Sequence, residues 1–260
     1  MKKSSLVIGR QPLIEALQAG RALDKILLQK NASGDTIQVI RQLARERQVP
    51  VQAVPAEKLH SITRAAHQGV IAFASLVAYM NLQEVIDHVV GQGETPLFVI
   101  LDGVTDVRNI GAIARTAVCC GAQALIIPEK GVGALNEEAL KSSAGALQKI
   151  HICRVNSLMK AVDELHMNGI RVYASEMTAR APLRSLTWNE PCAVVMGSED
   201  KGVFPGLMKI CDGTFRIPMA GTFESLNVSV AAGIILHEAL MQRLTESQTP
   251  NTDPHEPANG

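Results

Sequence analysis

The chain has 260 residues, 47% of them hydrophobic and 3% aromatic, and its 25 Lys and Arg are balanced by 25 Asp and Glu. That length allows one large or two small domains with a sizeable core. No apolar run approaches the roughly 18 residues a membrane-spanning helix needs, and Leu6-Val7-Ile8, behind the basic Met1-Lys2-Lys3 start, is too short for the apolar region of a signal peptide. In chain order, the spacing of apolar residues predicts a helix at Leu13–Ala19 stopped by Gly20, a strand at Lys25–Gln29, and an amphipathic helix at Asp35–Gln48 with Ile37, Ile40, Leu43 and Ala44 on one face. A strand at Val49–Val54, a helix at Ala56–Ile62 and a strand at Gly69–Ser75 complete an α/β module over residues 1–75.

Residues 76–96 read as a linker with a connecting helix. Asn81 and Glu84 have the spacing of an N-terminal cap, followed by Leu82, Val85, Ile86 and Val89 up to Gly91. From Leu97 the rhythm is strand and helix in alternation. Strands are expected at Leu97–Leu101, Ala124–Ile127, His151–Val155, Arg171–Ser175, Ala193–Met196 and Thr214–Ile217. Helices are expected at Ile110–Cys119, Glu137–Leu147, Leu158–Asn168 and Val228–Leu244. Near-continuous apolar strands such as Phe98-Val99-Ile100-Leu101 fit a parallel sheet covered on both faces, in a domain spanning residues 97–244. Residues 245–260, polar and rich in proline, read as a disordered tail.

The zero net charge is unevenly divided. Residues 1–75 hold 11 Lys and Arg against 5 Asp and Glu, whereas residues 76–260 hold 14 against 20. A basic module joined to an acidic one assigns phosphate contacts, and hence an RNA partner, to the first. The five cysteines, Cys119, Cys120, Cys153, Cys192 and Cys211, lie mostly in apolar runs with no CxxC pair and no His/Cys spacing for zinc. They read as buried, reduced thiols of a cytoplasmic protein without a metal. His67 reads as a satisfied turn histidine, and His151, His166 and His237 as structural or surface residues.

Three segments stand where an apolar run gives way to a polar turn or a helix start: Asn109 to Thr116, Met196 to Gly202, and Ile217 to Ser229, the last including Glu224-Ser225-Leu226-Asn227-Val228-Ser229. At the carboxyl ends of strands such turns can face one crevice. The turn after Leu97–Leu101, Asp102-Gly103-Val104-Thr105, has no GxG, which speaks against a Rossmann site. Gly197-Ser-Glu-Asp-Lys-Gly202 lacks the GK[ST] ending of a phosphate loop. Gly111, Ala112 and Ala114 around Arg115 imply close packing rather than an exposed face.

Together these segments resemble the three motifs of the SpoU family, the SPOUT-class RNA 2′-O-ribose methyltransferases that use S-adenosylmethionine. The family's Asn, Gly and Arg fall on Asn109, Gly111 and Arg115, its Gly-x-Glu-x-x-Gly on Gly197, Glu199 and Gly202, and its Ser-Leu-Asn-Val-Ser on Ser225 to Ser229. Ile8-Gly9-Arg10 and His67-Gln68-Gly69-Val70 further resemble the bacterial subgroup that methylates a guanosine ribose of 23S rRNA. The resemblance implies an L30e-like N-terminal RNA-binding domain, a SPOUT domain with a trefoil knot, and a homodimer whose active site borrows from both subunits. It implies catalytic roles for Asn109, Arg115, Glu199, Ser225 and Asn227. It also implies contacts to the cofactor from Gly197, Gly202, Ile217, Leu226 and Asn227. A guanidinium is a poor base, so Arg115 reads as a stabiliser of phosphate or alkoxide. Glu199 or water then takes the proton, and Glu199 accepts a hydrogen bond from RNA or pairs with Arg115. A tRNA ribose methyltransferase and a non-catalytic RNA-binding assembly protein are the alternatives.

Overall fold

The computed structural model describes residues 6–132, 135–221 and 225–247. They divide into two compact units, Met1–Tyr79 with Gly133–Glu137, and Met80–Val132 with Glu138–Gly260.

The first unit contains β1 (Leu6–Ile8), α1 (Arg10–Gln18), β2 (Leu23–Gln29), α2 (Asp35–Glu46), β3 (Val51–Val54), α3 (Ala56–Ile62) and β4 (Val70–Ala74). Its sheet order is β1-β4-β2-β3, with β2 and β3 parallel and the other pairs antiparallel. Alternation along β2 explains the two layers. Ile26 and Leu28 pack with Leu13, Leu17, Ile37 and Ile40, whereas Leu27 packs with Leu59 of α3. Leu6-Val7-Ile8 is a strand, in register with Phe73, Ala72 and Ile71.

Tyr79–Met80, expected within a linker, forms the short strand β5. The Tyr79 hydroxyl donates to Asp24 Oδ1 at 2.9 Å. Then follow α4 (Leu82–Gly91), β6 (Leu97–Leu101), α5 (Val107–Cys119), β7 (Ala124–Pro128), α6 (Glu137–Ser143), β8 (His151–Val155), α7 (Leu158–Met167), β9 (Arg171–Ser175), β10 (Ala181–Pro182), β11 (Cys192–Met196), α8 (Pro205–Met208), β12 (Gly213–Arg216) and α9 (Val228–Ser247). The sheet order is β10-β12-β9-β11-β6-β7-β8-β5, and every pair from β10 through β8 is parallel. β6 and β11 lie side by side at its centre with all five residues of each buried. Their unbroken apolar runs match strands covered on both faces.

Four departures have local causes. The helix expected over Glu137–Leu147 ends at Ser143, because Ala144 and Gly145 adopt φ of 48° and 87° before a 3-10 turn at Ala146–Gln148. β10 and α8 are too short to leave a periodic signal. α5 begins three residues before Ile110, because Asp106 Oδ1 accepts from the Arg108 amide at 2.9 Å and caps it there. α9 runs to Ser247, so Thr245 to Ser247 are helical rather than tail. Residues 248–260 lie outside the described residues.

The carboxy-terminal part of α9 is pinned by Arg243. Its guanidinium donates to the carbonyls of Trp188 (2.8 Å), Thr95 (2.7 Å), Pro96 (2.9 Å) and Glu190 (3.2 Å). Trp188 is fully buried and meets Phe215 and Tyr173 edge to face, with ring centroids 5.4 and 5.7 Å away. Replacing Arg243 by Met leaves several carbonyls without their donors. It is expected to lower stability by about 2–4 kcal/mol, read by urea denaturation, with Lys recovering only part because it lacks the fork.

Candidate active site

The carboxyl ends of β6, β9, β11 and β12 all feed one region. After β6, Asp102 Oδ2 accepts from the Phe204 amide at 2.6 Å, and the Asp102 amide donates to the Met196 carbonyl at 2.8 Å, tying this turn to the one after β11. After β11 the chain folds back on itself. Ser198 and Gly202 form an antiparallel bridge, the Gly202 amide donates to the Ser198 carbonyl at 2.9 Å, and Gly202 has φ 64°. A methyl group on Gly197 would overlap the backbone of Gly202 and Val203. Gly197 is therefore small for the sake of its own turn, not only for a ligand.

A cavity of about 380 Å³ opens within these loops. Gly197, Glu199, Gly202, Ile217, Ser225 and Leu226, all singled out from sequence, line it. Glu176 and Thr178 line it too and were missed, although they follow β9 as Gly197 follows β11. The Thr178 hydroxyl donates to the Glu176 carboxylate at 2.7 Å. Asn109, Arg115 and Asn227 are not among the lining residues.

Asn109 and Asn227 meet at Glu199 instead. Glu199 Oε1 accepts from Asn227 Nδ2 at 2.6 Å, from the Val228 amide at 3.3 Å and from Asn109 Nδ2 at 3.4 Å. Asn227 Nδ2 also reaches Asn109 Oδ1 at 3.3 Å. Asn227 Oδ1 caps α9, accepting from the Ser229 amide at 2.9 Å and its hydroxyl at 2.6 Å. One residue from each of the three segments thus forms a single network, with the carboxylate at the positive end of α9. Glu199 Oε2 has no partner among the described residues, which leaves one oxygen free to accept. Because Glu199 also lines the cavity, the network and the cavity form one site.

Several expectations need correction. Asn109 lies in the first turn of α5 rather than on the preceding loop. Arg115 is exposed and makes no hydrogen bond or ion pair among the described residues, and it does not pair with Glu199. The close packing implied by its small neighbours holds for Ala114, which is fully buried, and for Gly111, where a methyl would overlap the Ser142 hydroxyl and the Ala139 carbonyl of α6, but it does not extend to Arg115. Glu224 lies outside the described residues. All five cysteines are free, but Cys119 is exposed and Cys211 half-buried rather than buried. Burial pushes the Cys153 thiol up to about 12 and the Cys192 thiol up to about 11, far from a thiolate nucleophile. Among the described residues no group of three His, Cys, Asp or Glu is placed to hold a metal, and no helix is long and apolar enough to cross a membrane.

The profile of the SpoU rRNA Methylase family matches residues 96–237. The chain belongs to the SpoU/TrmH family of RNA ribose methyltransferases. A second profile, RNA 2′-O ribose methyltransferase substrate binding, matches residues 6–80, which covers the first unit almost completely. A TrmH-family tRNA/rRNA methyltransferase of Bacillus subtilis is 35% identical over 91% of this chain and 95% of its own length. Among solved structures, the SpoU methyltransferase AviRb from Streptomyces viridochromogenes, in complex with AdoMet, is 26% identical with a TM-score of 0.59, covering 92% of this chain and 90% of that one. An AdoMet-bound rRNA methyltransferase from Sinorhizobium meliloti is 25% identical with a TM-score of 0.57, covering 90% and 86%. The family's α/β fold with a parallel SPOUT sheet is therefore this chain's fold.

Proposed function

We propose that this SpoU/TrmH enzyme uses S-adenosylmethionine to methylate the 2′-hydroxyl of a guanosine ribose in 23S rRNA, in the cytoplasm. The observation that carries the reading is the shared position of Glu199, which belongs both to the cavity and to the network joining the three segments. The cavity suits the cofactor. Its volume falls within the roughly 300–1,000 Å³ of small-molecule sites. Ile217, Leu226, Met196 and Val203 offer apolar walls to an adenine, and Glu176 and Asp200 offer negative charge near a sulfonium. S-adenosylmethionine bound there would supply an electrophilic methyl group to the ribose oxygen.

The chain's own work is to hold that oxygen in line and remove its proton. Positioning alone can account for much of such a barrier. Asn109 and Asn227 fix Glu199 through Oε1, and Oε2 takes the hydroxyl proton directly or through water. Ser225, also on the cavity wall, orients the ribose. The Arg115 guanidinium stabilises the phosphate or the developing alkoxide.

The dimer belongs to the same proposal. Along α9, Val230, Ile234, Met241 and Leu244 are 51, 40, 46 and 45% exposed. At about 100° per residue these four form one stripe, while Ala232, Ile235, Leu236 and Ala239 are buried and α9 packs against α5. An apolar stripe on the neighbour of the helix that carries an unpartnered Arg115 supports a second copy as its cover, with Arg115 serving a shared site. Ile234→Asp is expected to convert the protein to monomers by sedimentation and to remove methyl transfer. A wild-type monomer at micromolar concentration would count against the dimer. The trefoil knot is proposed from the same resemblance, supported by the placement of β11 between β9 and β6 and of α9 on α5.

The substrate is tested by incubating the protein with labelled S-adenosylmethionine and undermethylated total RNA, then mapping the modified nucleotide. Label in a 23S guanosine is expected. Label confined to tRNA would replace this reading with methylation of a tRNA ribose, which the Bacillus subtilis relative's tRNA/rRNA description covers equally.

A further inference from the structure

The first unit carries a cavity of about 890 Å³ bordered by Arg10, Asn31, Ser33, His60, Arg64 and His67 and by no carboxylate. Its floor is a turn in which Gln68 and Gly69 take φ of 50° and 81°. His67, only 6% exposed, is locked there because the Gly69 amide donates to its Nδ1 at 3.0 Å. A neutral His67 must then carry its proton on Nε2, which faces His60 Nδ1 at 3.2 Å. Burial, helped by the neighbouring His60, holds the His67 pKa below the ordinary histidine value, which keeps the ring neutral. His60 accepts at Nδ1, so its own proton sits on Nε2. The relay from Gly69 through His67 thus presents His60, an exposed side chain, as a donor of fixed tautomer.

Two cations complete the wall. Arg10 is steered by its own turn, with its amide donating to Gln68 Oε1 at 3.2 Å and its Nε to the Gln68 carbonyl at 3.0 Å. Arg64 is exposed and makes no hydrogen bond or ion pair among the described residues. Two guanidinium groups and an oriented N–H, with no carboxylate to neutralise them, suit a ligand that is anionic and rich in acceptor oxygens.

We propose that this cavity holds a phosphodiester of the substrate RNA, with Arg64 and Arg10 supplying charge and His60 Nε2–H a hydrogen bond. The assignment rests on the RNA-methylation reading above and names where in the first unit the RNA backbone is gripped. A free phosphate shares this chemistry, and the test separates the two.

The experiment uses the full chain, an unmodified 23S rRNA transcript and a KCl series. Arg64→Gln is expected to weaken binding several-fold and to reduce the slope of log affinity against log salt by about 0.7–0.9, one phosphate contact. Arg64→Lys keeps the charge and is expected to retain most of the slope. Arg41→Gln, an exposed position on α2 outside the cavity, is expected to leave the slope unchanged. Thermal unfolding of each variant checks that the fold is kept. Equal slopes for Arg64→Gln and Arg41→Gln would overturn the proposal. So would displacement of the transcript by millimolar inorganic phosphate at matched ionic strength, which would make the cavity a free-phosphate site. Methyl transfer by the unaltered protein is read on the same transcript. No transfer with the slope difference intact would count against the proposed function and not against the subsite.

Discussion

Glu199→Gln is expected to lower the rate of methyl transfer by about 10²–10⁴-fold, the usual range for losing a positioned proton acceptor, while cofactor affinity changes by no more than a few-fold. Glutamine is nearly isosteric, and its carbonyl oxygen can still accept from Asn227 Nδ2 and the Val228 amide where Glu199 Oε1 does now. What it lacks is the second carboxylate oxygen, where an amide NH₂ would stand in place of the acceptor. Single-turnover transfer and equilibrium S-adenosylmethionine binding separate the two effects. A parallel loss of both would make Glu199 a brace for α9 rather than an acceptor for the hydroxyl proton.

Gly197→Ala is expected to cost the cofactor site about 2–3 kcal/mol, or roughly 30- to 150-fold in S-adenosylmethionine affinity. A methyl group there overlaps the backbone of Gly202 and Val203 rather than a side chain that could swing aside. The turn must open, and the Ser198–Gly202 bridge and the amide bond within it open too. Gly202→Ala supplies the internal comparison. Its φ of 64° is strained for alanine, but nothing stands near the new methyl, so only about 1 kcal/mol is expected. Calorimetric titration of both variants with S-adenosylmethionine tests the ranking. Equal losses would mean that backbone freedom, not close approach, is what the turn requires.

The parts of the fold written most plainly in the sequence are short strands of the central sheet. β6, β8 and β9 fall on the expected residues, because each is a short run bounded by turn-forming residues in a sheet that buries it. α4 follows its cap, with Asn81 Oδ1 accepting from the Glu84 amide at 3.3 Å. Elements of two to four residues, β10 and α8 among them, are held by neighbours and leave no period to read.

The site was legible in its membership and not in its contacts. That the segments carrying Asn109, Glu199 and Asn227 come together followed from motifs at strand ends. That Glu199 takes two amide side chains instead of Arg115 depends on β11 lying beside β6 and on α9 packing against α5, neither of which any local spacing encodes. Asn109 was misplaced because Asp106, a polar residue in a polar turn, caps the helix one turn earlier than the apolar pattern begins. Glu176 and Thr178 were passed over because they follow their strand without a glycine to mark the turn.

The measurement closest to the central claim is the alkali stability of the labelled product. RNA methylated with labelled S-adenosylmethionine is hydrolysed in base, where cleavage needs a free 2′-hydroxyl. A methyl group on that oxygen blocks the adjacent bond, so the site built around Glu199 predicts label in alkali-resistant dinucleotides, formed about 10²–10⁴-fold more slowly after Glu199→Gln. Label recovered in mononucleotides would place the methyl on a base and contradict the account.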